Sequence, residues 1–152
     1  MSVEDYKEKI REALKEYVKK DWQELMAVDA HEVTNAHRIA VYLESRFKGY
    51  NIDLEYNRDR ENIKKLENLI RPDIIIHRRN SDDNLCIFEI KKSPKEADES
   101  ENDVGKIKGE IGKYHYKLGV FLGILEDKIE ICWIVGDDDT QTEEWEIMRR
   151  EI

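Results

Sequence analysis

Apolar residues recur every three or four positions near the start of the chain, at Val3, Tyr6, Ile10, Leu14, Tyr17 and Leu25. This predicts one long amphipathic helix over about 2–27, with Ser2 and Asp5 as a capping box. A second helical stripe, Ala36, Ile39, Ala40, Leu43 and Phe47, places a helix near 30–47, with Asp29 suited to cap it and Gly49 to stop it. The period then shortens to two in "NIDLEYNR", where Ile52, Leu54 and Tyr56 alternate as in a strand. "DRENIKKLENLI" is polar with weak helical spacing and reads as a loop or short helix. "DIIIH" and "NLCIFEIKK" are β-rich and flank the turn-forming "NSDDN", so they predict a hairpin. "SPKEADESEND" reads as an acidic loop. Helical spacing returns over 103–117 through Val104, Ile107, Ile111 and Tyr114, despite Gly105, Gly109 and Gly112. Close approach to a sheet is one reason for glycines there. "LGVFLGIL" and "KIEICWIV" predict two further strands, and "TEEWEIMRREI" a short closing helix.

Helices before, between and after the strands predict an α/β fold with a mixed sheet covered on both faces. A chain of 152 residues suits a single domain over 1–152, with the core at about 29–135 and residues 1–27 as an added N-terminal helix.

Composition narrows the function classes. No run approaches the roughly 18 apolar residues of a membrane span, and "MSVEDYKEKI" lacks the basic and apolar regions of a secretion signal. A cytoplasmic protein that does not engage membranes is expected. Cys86 and Cys132 each sit in an apolar run, which suits reduced core thiols. The net charge of −9 opposes indiscriminate nucleic-acid binding. Charge is uneven, however: residues 56–95 carry 10 cations against 7 anions, and 96–152 carry 7 against 16. Arg58, Arg60, Lys64, Lys65, Arg71, Arg78, Arg79, Lys92 and Lys95 of the basic part form a candidate phosphate track, although any one of them also fits a solvated, salt-bridged surface.

The candidate chemistry lies in the predicted hairpin. Alternation puts Glu89 and Lys91 on one strand face with Leu85 and Ile87, and antiparallel pairing brings Asp73 to the same end of the sheet. Burying unpaired charge is costly, so two carboxylates and an ammonium inside apolar strands need compensation. A hard dication supplies it, since Mg²⁺ takes carboxylate oxygens and keeps several waters. A structural alternative has Asp73 capping a strand end and Glu89 with Lys91 forming a rim salt bridge.

Pro72-Asp73 followed by Glu89-Ile90-Lys91 resembles the PD-(D/E)XK nuclease superfamily, the restriction-endonuclease-like fold shared with archaeal Holliday-junction resolvases. The resemblance covers about 29–135. It implies a restriction-endonuclease-like core and a Mg²⁺-dependent nuclease, with Mn²⁺ able to substitute, acting on phosphodiester bonds in DNA. It further implies that Asp73 and Glu89 bind the metal, Ile90 offers its backbone carbonyl and Lys91 serves the attacking water. The family often adds an acid from the preceding helix, where Glu32 falls on the core-facing stripe and Glu44 is a weaker candidate. The spacing from Asp29 to Glu32 equally fits a capping box. Arg58, Arg71, Arg78, Arg79 and Lys92 are the expected contacts to nucleic acid. His37 and Arg38 on the second helix could reach phosphate or simply be exposed. His77 fits either a site lining or a hydrogen-bonded strand-end histidine, while Tyr114 fits the core. The long first helix packs on its own domain or on a second copy, and a homodimer would suit cleavage of both strands of a duplex. An inactive member of the fold that binds nucleic acid or a protein partner is the alternative function.

Overall fold

The computed structural model describes residues 1–55, 58–59, 62–63, 72–92, 97–136 and 139–147, with backbone alone at 58–59, 62–63 and 97–100. Its first helix, α1 (Val3–Tyr17), begins with the expected capping box: Asp5 N–H donates to Ser2 Oγ at 3.2 Å, and Ser2 N–H donates to the Asp5 carboxylate at 2.7 Å. The helical path continues through a π-helical turn (Val18–Trp22) into α2 (Gln23–Ala27). Tyr17 and Trp22 are both buried although five residues apart, a spacing that an α-helix turns to different faces and an i→i+5 turn realigns. The stripe of α1 packs within its own domain, as Tyr6, Ile10, Ala13 and Leu14 join the core with Ile39 and Leu43 of α3 (Glu32–Glu44).

Strand β1 (Asn51–Leu54) leads to β4 (Ile74–His77) by way of a two-residue pairing, β2 (Arg58–Asp59) with β3 (Asn62–Ile63). That pairing stands where the sequence suggested a loop or short helix, the rest of which lies outside the described residues. The predicted hairpin forms between β4 and β5 (Asn84–Lys92), and the two strands "LGVFLGIL" and "KIEICWIV" become β6 (Leu118–Ile124) and β7 (Lys128–Val135). The sheet runs β1-β4-β5-β6-β7-β8, with β8 at Asp139–Glu146, parallel between β5 and β6 and antiparallel elsewhere. Helices α1 and α3 cover one face, and α4 (Ala97–Tyr114) covers the other through Ile107, Ile111 and Tyr114 against Ile75, Ile87, Phe121 and Ile134.

Several expectations are corrected. The acidic stretch is helical from Ala97, so α4 starts six residues before the predicted 103. The closing segment is a strand, β8 (Asp139–Glu146), paired along β7. Its inward positions Glu143 and Trp145 alternate with exposed ones, and this period of two overrides the helical propensity of a Glu-rich run. Helix α3 starts with His31 as N-cap and no side-chain capping bond, so Asp29 and Glu32 form no capping box. Leu85 joins the α1–α3 core instead of facing α4 with Ile87, because the ladder slips between Ile76↔Cys86 and His77↔Asn84 and leaves Leu85 as the extra residue of a bulge. Gly105 and Gly112 lie on the exposed side of α4, where an added Cβ would meet nothing within 4 Å. Close approach occurs instead at Gly119 of β6, where an added Cβ would lie 2.3 Å from Ile107 Cγ2.

Candidate active site

Asp73 is anchored from both neighbouring strands. Its N–H donates to Phe88 C=O at 3.1 Å and its C=O accepts from Glu55 N–H at 3.2 Å. Buried Pro72 before it holds an extended approach and presents no N–H to satisfy. Glu55 takes φ of 49°, so strained backbone sits directly beside the site.

Ile74 pairs with Phe88, and continuing that register places Asp73 opposite Glu89. The two carboxyl groups share a hydrogen bond, and Asp73 Oδ2 also accepts from Ile90 N–H at 2.7 Å. Such a bond requires one of the pair to hold a proton unless a cation takes its place. Burial, followed by the neighbouring Asp73 and Asp103 charges, pushes the Glu89 carboxyl up to about 9. Burial also raises Asp73, against the Ile90 N–H bond that lowers it, and the Glu32 charge raises it further. The sheet thus sets carboxyl groups close enough together at this end that Glu89 keeps its proton where an ordinary glutamate has lost it.

Lys91 lies two residues beyond Glu89 on the same strand face, beside Gly123 on β6. Its Nζ is 3.9 Å from Asp103 Oδ2 of α4. Asp103 was not singled out in the sequence, although it stands four residues before Ile107 and therefore on the stripe that faces the sheet.

The other predicted residues divide. Glu32, in the first turn of α3, lies close enough for its charge to act on Asp73. With His31, Val33, Thr34 and Lys92 it lines a cavity of about 520 Å³. Lys92 bonds the Asp29 carboxylate and, at 2.9 Å, Ala30 C=O. Arg78 and Arg79 lie past the far end of β4 from Asp73. Arg79 is paired with Asp53, while Arg78 is 3.5 Å from the Asp83 carboxylate and stacks over the Tyr50 ring. Neither joins the acid pair. Arg71 and the Arg58 side chain lie outside the described residues, as do Arg60, Lys64, Lys65 and Lys95.

His77 is buried with its Nε2 2.7 Å from Asp53, consistent with the hydrogen-bonded histidine of the sequence reading. Arg38 bridges Asp21 and Tyr42, His37 is exposed, and Tyr114 packs from the end of α4 into the core on that face of the sheet. A separate cavity of about 530 Å³ opens on the β7–β8 side of α4, lined by Val104, Phe121, Cys132 and Glu144 among others, and holds none of the predicted site residues.

Among the described residues no three His, Cys, Asp or Glu side chains converge to hold a metal by themselves. Two carboxylates suffice for Mg²⁺, which is commonly held by one or two with water and substrate phosphate completing its shell. The donor set, oxygen-only and poised to exchange a shared proton for a cation, fits that ion. Among the described residues no helix is long and apolar enough to cross a membrane. No protein-family model, curated protein or solved structure matches this chain.

Proposed function

We propose that the chain is a Mg²⁺-dependent nuclease that hydrolyses phosphodiester bonds in DNA, built on a restriction-endonuclease-like core. One observation carries the reading: the hairpin register sets the half-buried carboxyls of Asp73 and Glu89 opposite one another on adjacent strands, with Lys91 two residues on. A structural salt bridge would pair Glu89 with a cation; pairing it with another acid is unfavourable without one.

Asp73 and Glu89 would hold the metal, and the Ile90 carbonyl and the Glu32 carboxylate would be the further oxygen donors available to it or to its waters. A bound dication would lower the pKa of water and offset charge on the phosphate. Lys91 places an ammonium where it can orient the attacking water and meet the phosphate oxygens as charge grows on them. Ile90 N–H fixes the Asp73 carboxylate, so the ligand geometry is set by backbone as well as by rotamer.

Calorimetric titration with Mg²⁺ or Mn²⁺ is expected to show binding by the wild type and none by Asp73→Ala. Asp73→Ala, Glu89→Ala and Lys91→Ala should remain folded and lose metal-dependent cleavage, the lysine variant by on the order of 100-fold or more. Absence of binding in the wild type would refute the enzyme.

A second reading, a nuclease-fold protein that binds a partner without cleaving, draws on Arg78, Arg79 and Lys92. Each is engaged within the protein, which weakens a phosphate track built on them. Metal titration separates the two, because a binding module does not require the dication.

A further inference from the structure

A further carboxylate, outside the acid pair, stands against Lys91 and is left unused by the mechanism above. Asp103 of α4 is only 4% exposed. Its Oδ2 has no hydrogen-bond partner among the described residues and faces Lys91 Nζ at 3.9 Å, while Oδ1 lies 3.6 Å from Lys106 Nζ. Leaving a buried polar atom unsatisfied is costly, and more so when it is charged. Ile107 and Ile111 pack this side of α4 on the sheet, and Glu110 between them is buried as well; what sets Asp103 apart is that its buried carboxylate stands against a lysine of the strand that carries Glu89.

The carboxylate faces two ammonium groups, one on the strand that carries Glu89 and one on its own helix. Lys91 has no side chain beside it at Gly123, the facing position of β6, so packing there does not set its direction. Lys106 remains more than half exposed, with its ammonium on the solvent side of the cluster. Building on the nuclease reading, we propose that Asp103 is a positioning residue of this site: it directs the Lys91 ammonium beside the Asp73–Glu89 pair and holds Lys106 where it can receive a substrate phosphate oxygen.

Asp103→Asn keeps the shape and removes the charge. Its kcat should fall about tenfold to a hundredfold in protein that is still fully folded at the assay temperature, since the amide keeps one acceptor and exchanges the other oxygen for an N–H₂ donor. Asp103→Glu should restore part of the rate, and Lys106→Ala should raise KM several-fold with kcat held. A kcat at the wild-type value in Asp103→Asn, or a loss that only follows a lowered thermal midpoint, overturns the inference.

A second measurement does not depend on cleavage. Reductive ¹³C-methylation labels Lys91, identified by its loss in Lys91→Arg, and its resonance should shift in Asp103→Asn. An unmoved resonance overturns the positioning role. A wild type that neither binds Mg²⁺ nor cleaves would overturn the nuclease reading while leaving the Lys91 shift to be observed.

Discussion

Glu89 retains its proton well above the ordinary glutamate value of 4.5, first because it is buried and then because Asp73 and Asp103 stand near it. The consequence for stability has a definite sign. Between about 4.5 and about 9 the unfolded chain has released this proton while the folded chain keeps it, so stability falls as pH rises through that window. Glu89→Gln is neutral in both states and escapes the loss. Calorimetric unfolding should therefore show its thermal midpoint above that of the wild type at pH 8 and close to it at pH 5. Equal differences at the two pH values would mean that Glu89 is ionised in the folded protein. Asp53 shows the opposite balance: burial works to raise it, but hydrogen bonds from Arg79 and His77 hold it below the usual carboxylate range. The contrast separates a satisfied structural acid from one kept beside like charge.

Helix α4 and strand β6 divide their glycines by contact. Gly105 faces solvent with open space around it, so Gly105→Ala should gain about 1 kcal/mol from helix propensity alone. Gly119 lies directly under Ile107 and Ile111, so Gly119→Ala forces helix and strand apart and should cost about 1–3 kcal/mol. Urea denaturation of the two variants tests both signs. The helical spacing of Val104, Ile107 and Ile111 was legible along the chain and leaves Gly105 and Gly112 off the buried stripe. The close contact falls at Gly119 of β6, where α4 crosses the sheet, and no spacing within the helix announces that crossing.

The first helix and strand β8 meet at the edge of the sheet. Arg11 of α1 binds the Glu143 carboxylate of β8 through Nε at 3.1 Å and Nη2 at 2.9 Å, and stacks over Trp133. Trp133 and Trp145 both donate their indole N–H to the same carboxylate. One side chain thereby ties the edge strand to the first helix and satisfies a nearly buried tryptophan. Glu143→Ala would leave the Trp133 N–H unpaired and should destabilise the fold by about 1–3 kcal/mol, read as a lower urea midpoint. The sequence left the apolar stripe of α1 open to a second copy of the chain. Its burial against α3 and the sheet accounts for that stripe within one molecule.

Local patterns carried α1, α3, the β4–β5 hairpin, β6 and β7, because a buried face must repeat with the period of its backbone. The meeting of Asp73 with Glu89 was legible for the same reason, since strand alternation and hairpin pairing together leave few other registers. Contacts distant along the chain settled the remainder. Asp103 is 12 residues from Lys91, and its approach depends on where α4 crosses the sheet. Glu143 is 132 residues from Arg11, and the strand it belongs to exists because β7 offers a free edge. Arg79 and Lys92, read along the chain as part of a basic stretch, pair with Asp53 and Asp29 once the fold brings those acids beside them. Periodicity encodes which side of an element is buried; which charged groups then face one another depends on packing in three dimensions.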